Sequence, residues 1–186
     1  MPTIIGVSGS LRRASFNTSL LRAAVELAPA GTTIEIGSIR DIPLYDADVE
    51  AASGVPAPVQ ALKDKIAAAD GLLIATPEYN NSIPGVVKNA IDWLSRPPAD
   101  LPRVFNNRKV AIMGATPGQG GTLVSQVAWL PILRTLGVDP WFGGRMAVSG
   151  AGKIFDADGK LIDGDTRERL KKFVEGFAAF CGGHSK

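Results

Sequence analysis

Hydroxyl, amide and guanidinium side chains are concentrated in one short stretch near the start of the chain, residues 9–17 (GSLRRASFN). A β-branched run precedes this stretch and apolar residues at helical spacing follow it, so it is predicted to join a strand to a helix. The unpaired N–H groups of a helix start bind anions, and Arg12 or Arg13 adds a fork suited to phosphate. We therefore predict a phosphate site here. The alternative is an ordinary helix cap, provided by Ser15 or Asn17.

Two further loops with polar or glycine-rich sequence follow predicted strands. The apolar run 71–75 ends in Thr-Pro-Glu-Tyr-Asn-Asn-Ser, and the run 109–114 ends in Ala-Thr-Pro-Gly-Gln-Gly-Gly. Tyr79 is a candidate to stack on a flat ligand, or else covers the edge of the core. Glu78 either accepts a hydrogen bond or is solvated, and solvation is favoured. The glycines of the later loop, Gly118, Gly120 and Gly121, permit a ligand to approach the backbone closely.

Residues and motifs that the sequence lacks argue against several functional classes. Neither the dinucleotide fingerprint G-x-G-x-x-G after the first strand nor the P-loop G-x-x-x-x-G-K-[ST] is present. The single histidine, His184, and the single cysteine, Cys181, both lie in the last six residues. A Ser-His-Asp or Cys-His arrangement and a histidine or cysteine metal site are therefore not expected, and Cys181 is expected to be buried and inert. No catalytic side chain is singled out, and the chemistry must come from carboxylates, hydroxyls, the backbone or a bound cofactor.

The elements that must position these loops alternate between strands and helices. Strands are predicted at residues 3–7, 33–39, 71–75, 109–114 and 141–148. Helices are predicted from about 15 to 28, from 59 to 69, from 84 to 94 with Ser82 as its cap, and from 122 to 136 with a break near 127–130 before Pro131. A last helix carries the apolar stripe from Leu170 to Cys181. Connections are expected at 41–48, 52–58 and 96–107, and a hairpin turning at Asp158-Gly159 is expected at 153–163.

This alternation predicts an α/β fold in which helices cover both faces of a parallel sheet, a three-layer α/β/α sandwich. The flavodoxin-like strand order 2-1-3-4-5 is one of the two common orders. It places the loops after strands one, three and four beside one crevice. That convergence favours a mononucleotide with a single phosphate.

The bulk composition is that of one domain spanning residues 1–186, with 45% hydrophobic and 20% charged residues. The formal net charge is +2 and the basic residues are scattered, so neither nucleic acid nor a membrane is an expected partner. No apolar run reaches transmembrane length and no signal peptide is recognised. The single cysteine suits the cytoplasm.

Residues 9–17 together with Pro77-Glu78-Tyr79-Asn80 and Lys88-Asn89-Ala90-Ile91-Asp92-Trp93 resemble the NAD(P)H-dependent FMN reductase family, and most of all its bacterial chromate and quinone reductases. The similarity extends from about Ile4 to Phe177. The resemblance implies a flavodoxin-like fold, bound FMN, and NADPH or NADH as electron donor. It also implies ping-pong, two-electron reduction of small-molecule acceptors such as quinones, chromate and azo compounds, by a homodimer or homotetramer.

The resemblance also assigns residues of all three loops to FMN. In the first loop it assigns Ser10, Arg12, Ser15, Phe16 and Asn17. In the second it assigns Pro77, Glu78, Tyr79 and Asn80. In the third it assigns Ala115 and Thr116, through backbone contacts.

Two other functions remain open at this point. The first is a reductase that releases reduced FMN to a partner monooxygenase. The second is a non-enzymatic electron carrier of the flavodoxin kind. Such carriers are typically acidic, and the sequence isoelectric point of about 8.8 argues mildly against one.

Overall fold

Strands and helices alternate through the computed structural model, which describes residues 1–183. The strands are β1 (Thr3–Ser8), β2 (Thr33–Gly37), β3 (Gly71–Ala75), β4 (Lys109–Ala115), β5 (Asp139–Pro140) and β6 (Met146–Val148). The helices are α1 (Phe16–Glu26), α2 (Ala47–Ser53), α3 (Ala57–Ala68), α4 (Gly85–Leu94), α5 (Leu101–Val104), α6 (Leu123–Ala128), α7 (Leu130–Leu136), α8 (Ala151–Ile154) and α9 (Gly164–Gly182), with a 3-10 turn at Pro98–Asp100.

The sheet is parallel and its strand order is β2-β1-β3-β4-β5, with β6 also paired to β4. The predicted flavodoxin-like order is therefore confirmed. β3 lies between β1 and β4 and is buried along its whole length, which explains why its sequence is an unbroken apolar run. β2 lies on one side of β1, whereas β3 and the strands after it lie on the other side, so the order in which strands are added to the sheet reverses between β1 and β3. A ligand crevice is expected at that point.

Helices cover both faces of the sheet. α1 and α9 pack on one face, where Leu20, Leu21, Phe173 and Phe177 join the inward side chains of β4 and β6. On the other face α3, α4 and α7 form a second core. Since apolar side chains of the sheet contribute to both clusters, the three-layer sandwich is confirmed.

The last predicted strand, 141–148, is wrong except for its final three residues: β6 lies within that range, whereas β5 precedes it. β5 pairs with the start of β4 and β6 pairs with its end, and the residues between them leave the sheet. The reason is Trp141, whose ring packs edge-on against Phe173 with centroids 5.1 Å apart. Gly143 and Gly144 pass so close to that ring that a Cβ atom at either would lie within 3 Å of it. The chain therefore bends around the indole.

All three predicted connections contain helical residues. α2 covers the end of the connection expected at 41–48 and the start of the one expected at 52–58. The Asp46 side chain caps this helix by accepting from the N–H of Asp48 at 2.9 Å. No residue of α2 is buried, so it lacks the apolar periodicity by which a helix is recognised. Residues 96–107 likewise contain the 3-10 turn and α5.

The starts and ends of other elements also differ from the expectation. Ser82 does not cap α4; it pairs with Tyr79, and Pro84 precedes the first turn without a side-chain cap. The helix expected at 122–136 is interrupted at Trp129 as predicted, giving α6 and α7. The expected hairpin is reduced to one bridge, between Phe155 and Leu161, around a turn at Gly159 (φ +79°).

The Cys181 thiol is buried in the last turns of α9, and burial raises its pKa to about 12. Its sulfur lies over Gly71, where a Cβ atom would come within about 2.5 Å of it. We expect a thiol reagent at pH 8 to label the native protein at least about a hundredfold more slowly than the urea-unfolded chain, because the thiolate is the reactive form. Equal labelling rates would contradict this assignment. His184 lies outside the described residues.

Candidate functional site

Three loops meet at the carboxyl edge of the sheet, as the strand order predicts. We call residues 9–15 loop 1, residues 76–84 loop 2 and residues 116–122 loop 3. Each is attached to a neighbouring strand by a backbone hydrogen bond: Gly9 N–H donates to Ala75 O at 2.8 Å, Thr76 N–H to Met113 O at 2.8 Å, and Thr116 N–H to Val148 O at 2.9 Å. The loops therefore border one crevice.

Loop 1 leads directly into α1. Ser15 is the N-cap, and its buried side chain accepts from the N–H of Thr18 at 3.3 Å. The capping alternative is therefore correct for Ser15. The first N–H groups of the helix, those of Phe16 and Asn17, precede its first internal hydrogen bond, from Ser19 to the Ser15 carbonyl. They make no hydrogen bond within the helix and are therefore available to an anion, as at other helix starts.

Asn17 has a different role from that of a ligand-binding side chain. Its amide is buried and makes two hydrogen bonds with the backbone of Ala115, donating to the carbonyl at 2.8 Å and accepting from the N–H at 2.9 Å. Asn17 therefore fastens the start of α1 to the end of β4. Only its backbone N–H remains available at the helix start.

Arg12 is an exposed residue of loop 1. Its guanidinium donates to the carbonyl of Ala14, from Nε at 3.0 Å, and its Cζ lies 5.5 Å from the centre of the Phe16 ring. Its backbone N–H donates to Ser10 Oγ at 3.3 Å. The side chain is exposed, and these contacts place its charge beside the start of α1.

Pro77, the second residue of loop 2, is buried, and the loop turns sharply after Tyr79. Tyr79 and Ser82 exchange backbone hydrogen bonds of 3.1 and 3.0 Å, and both residues between them are left-handed, Asn80 at φ +50° and Asn81 at φ +57°. Asparagine tolerates this conformation better than most residues. The tight turn leaves the Tyr79 side chain half exposed beside the crevice, so its ring is accessible for stacking.

Glu78 accepts a hydrogen bond, which is the alternative to the favoured interpretation as a solvated side chain. Its Oε2 accepts from the N–H of Ser125, in the first turn of α6, at 3.0 Å. The N-cap of that helix, Thr122, is left-handed (φ +65°) and its own side chain makes no capping bond. The carboxylate of loop 2 therefore caps the helix that follows loop 3. The negative charge of this carboxylate at the N-terminus of α6 also interacts favourably with the helix dipole.

A buried hydroxyl network beneath loop 2 was not predicted. Thr76 Oγ1 accepts from the indole N–H of Trp129 at 3.1 Å and lies 3.1 Å from Ser125 Oγ. All three side chains are fully buried. Nothing in the local sequence around Thr76 indicates these partners, because they lie about fifty positions away.

Loop 3 presents backbone to the crevice. Its backbone is held by the residues after β6, since Gly150 N–H donates to Gly118 O and Ala151 N–H donates to Thr116 O, both at 3.0 Å. A Cβ atom at Gly118 would meet nothing closer than 3.7 Å, and one at Gly120 nothing closer than 3.8 Å. These glycines thus leave room for a flat ligand against the peptide groups. Ala115, at the end of β4, is buried.

Among residues 1–183, no group of histidine, cysteine or acidic side chains is arranged to hold a metal ion. None of the helices in that part of the chain is both long enough and apolar enough to cross a bilayer.

A parallel sheet of this order, with a helix start and a glycine-rich loop at its switch point, defines a flavodoxin-like fold. The sequence model of the NADPH-dependent FMN reductase family matches residues 2–153. The chain therefore belongs to that family.

Individual relatives agree with this membership. The chain is 44% identical over 172 residues to an NAD(P)H-dependent FMN reductase of Pseudomonas aeruginosa, covering 92% of this chain and 91% of the relative. It is 40% identical over 182 residues to a quinone reductase of Escherichia coli, covering 95% and 94%. The solved structure of the NAD(P)H:(acceptor) oxidoreductase FerB of Paracoccus denitrificans superposes with a TM-score of 0.86 at 31% identity, covering 97% of each chain.

Proposed function

We propose that this protein binds FMN and uses NADPH or NADH for the two-electron reduction of quinones and related small acceptors. The observation that carries the proposal is the meeting of loops 1, 2 and 3 around one crevice, with the N–H groups of α1 at one end and an open backbone slot at the other. Family membership and the quinone reductase relatives support the same activity.

The groups present in the crevice fit FMN. Ser10, Arg12 and the backbone N–H groups of Phe16 and Asn17 would hold the phosphate. Loop 2 and the backbone of loop 3 would hold the flavin ring, through Pro77, Glu78, Tyr79, Asn80, Ala115 and Thr116. Ser15 and the Asn17 amide would act indirectly, by fixing the start of α1.

Bound FMN would supply the redox chemistry, accepting two electrons from one substrate and passing them to the next. The chain's own residues would position both substrates against one face of the slot, because Tyr79 and the glycines of loop 3 leave that face open. Peptide N–H groups of loop 3 would stabilise negative charge at the ring edge. This mechanism requires no histidine.

An anaerobic absorption spectrum of the FMN-loaded protein tests the activity. We expect NADPH or NADH to bleach the flavin band and a quinone to restore it. Chromate and azo compounds are proposed acceptors that the same assay examines. A flavin that both dinucleotides leave oxidised would contradict the enzyme and favour an electron carrier. A protein that loses FMN on gel filtration and reduces free FMN would favour the reductase that supplies a monooxygenase.

Arg12→Ala is expected to weaken FMN binding by about 1.5 to 3 kcal/mol, since it removes a charge-assisted hydrogen bond to phosphate. Fluorescence titration of the apoprotein with FMN measures the change in dissociation constant. Arg167→Ala, which removes an exposed charge from α9, is the matched control. An unchanged affinity in Arg12→Ala would remove this side chain from the proposed phosphate site.

Self-association as a homodimer or homotetramer is proposed through the outer face of α6 and α7. Val124, Val127 and Leu130 are exposed there, beside an apolar recess of about 580 Å³ that reaches Phe142. An apolar surface of this kind is typical of protein interfaces. Val127→Glu is expected to lower the mass measured by light scattering. Ile162→Glu alters an equally exposed apolar side chain elsewhere and should leave the mass unchanged; the same mass in both variants would exclude this face.

A cytoplasmic location is also proposed, and the single cysteine supports it. Fractionation of cells that express the protein tests this location directly.

A further inference from the structure

The segment that joins β2 to α2, residues 38–46, takes part in none of the proposed FMN contacts. We call it the β2–α2 segment. β1 and β2 are paired in register from Thr3 with Thr33 to Val7 with Gly37, so loop 1 and this segment leave the sheet at the same edge. The β2–α2 segment therefore lies where it can act on loop 1.

One side chain of this segment contacts loop 1 directly. The exposed guanidinium of Arg40 donates from Nη2 to the carbonyl of Leu11 at 2.7 Å. The same peptide group is held at its other end, because the N–H of Arg12 donates to Ser10 Oγ at 3.3 Å. The carbonyl and the N–H of a trans peptide point in opposite directions, so these two hydrogen bonds together fix its plane.

This peptide group joins the two side chains that are proposed to hold the FMN phosphate. Ser10 Oγ accepts from the Arg12 N–H, so its hydroxyl proton remains available to a phosphate oxygen. If the peptide plane rotated, Ser10 would lose this N–H and the Arg12 side chain would leave the backbone in another direction. Fixing the plane therefore presents both groups to the ligand before it binds.

The β2–α2 segment is itself fastened to α4. The Asn89 side chain donates to the Pro43 carbonyl at 2.8 Å and accepts from the Tyr45 N–H at 2.8 Å. The indole N–H of the fully buried Trp93 donates to the same carbonyl at 2.9 Å, and the Tyr45 ring packs edge-on against that indole. Both α4 residues belong to the stretch 88–93, which contributes no proposed FMN contact. Their contacts hold the segment in a fixed position.

We infer that Arg40 is a positioning residue for the FMN phosphate and that it helps to select FMN over riboflavin, which lacks the phosphate. The inference rests on the proposed function, because loop 1 must hold that phosphate. Arg40 acts without touching the ligand. Its hydrogen bond to Leu11 orients Ser10 and Arg12, and the attachment of the β2–α2 segment to α4 holds Arg40 in place.

Fluorescence titration of the flavin-free protein with FMN and with riboflavin tests the inference. We expect Arg40→Ala to bind FMN about tenfold more weakly, and riboflavin within about twofold of wild type, since only FMN uses the oriented groups. Arg40→Lys should recover part of the loss, because an ammonium group still donates to a carbonyl. Asn89→Ala should reproduce the loss. The double variant should lose less than the product of the two single losses, because both changes act on one unit.

Two controls separate positioning from other effects. Arg108→Ala removes an arginine that also donates to the carbonyl of another element, Ala67 at 3.2 Å, but at the opposite edge of the sheet, before β4. It should lower the midpoint of urea unfolding without changing the ratio of the FMN and riboflavin affinities. The second control is about 1 M salt, which screens exposed charges beyond about 3 Å. The loss in Arg40→Ala should persist there, because it comes from a hydrogen bond within the protein.

Three results would overturn the inference. They are a ratio of FMN to riboflavin affinity in Arg40→Ala equal to that of wild type, the same fall of this ratio in Arg108→Ala, and a loss in Arg40→Ala that disappears at high salt. The last result would mean that Arg40 acts only through its charge. In all three cases the proposed function stands if wild type prefers FMN. If wild type binds FMN and riboflavin equally, the proposed phosphate site itself is wrong.

Discussion

Asn17→Ala is expected to lower the free energy of unfolding by about 3 kcal/mol, because it leaves the buried N–H and carbonyl of Ala115 without partners. It should also weaken FMN binding, since the start of α1 is no longer fastened to β4. Urea unfolding monitored by circular dichroism gives the first quantity, and FMN titration gives the second.

Two further variants test whether the loss of stability comes from the hydrogen bonds of the Asn17 amide. Asn17→Asp keeps an acceptor for the Ala115 N–H but places a carboxylate against the Ala115 carbonyl, so it should not restore stability. Asn106→Ala removes an exposed amide before β4 and should have little effect. If Asn17→Ala unfolds at the same urea concentration as wild type, the amide does not join the two elements as described.

Gly114→Ala is expected to destabilise the protein by about 3 kcal/mol through overpacking. A Cβ atom at this position in β4 would overlap both the hydroxyl of Thr122 and the carbonyl oxygen of Thr76. Neither neighbour can move freely, since Thr122 is fully buried and Thr76 belongs to loop 2. The midpoint of urea unfolding measures the effect.

Gly118→Ala is the matched control for Gly114→Ala. It adds the same methyl group four residues later, in loop 3, where the nearest atom would be 3.7 Å away. Its unfolding midpoint should remain close to that of wild type. Similar losses in both variants would show that glycine is needed for backbone freedom in this segment and not for the space around Gly114.

The fold could be predicted from the sequence because its determinants are local and periodic. The apolar run of β3 indicates a central strand, and the stripe of α9 indicates its buried face. The segments that were predicted wrongly lack such local, periodic signals. α2 buries nothing and so has no periodicity, while the bend between β5 and β6 depends on Trp141 packing against residues of α9. Tertiary contacts decide such segments.

In the candidate site, too, the local features were predicted and the long-range contacts were not. Loops 1, 2 and 3 were identified because strand ends and polar composition can be read along the chain. The functions of individual side chains were less accessible: Glu78 caps α6, and Asn17 bonds to Ala115. The partners, Ser125 and Ala115, are distant in sequence, and no local pattern indicates these contacts.

These distant contacts have a kinetic consequence. Asn17 and Ala115 are 98 positions apart, and Glu78 and Ser125 are 47 apart. Contacts of such long range carry a large loop-closure entropy and raise the contact order of the fold. The crevice therefore assembles only with the native sheet, and a ligand that occupies it binds the folded state and not the unfolded chain. Thermal stability should then rise with the concentration of free FMN, by mass action alone.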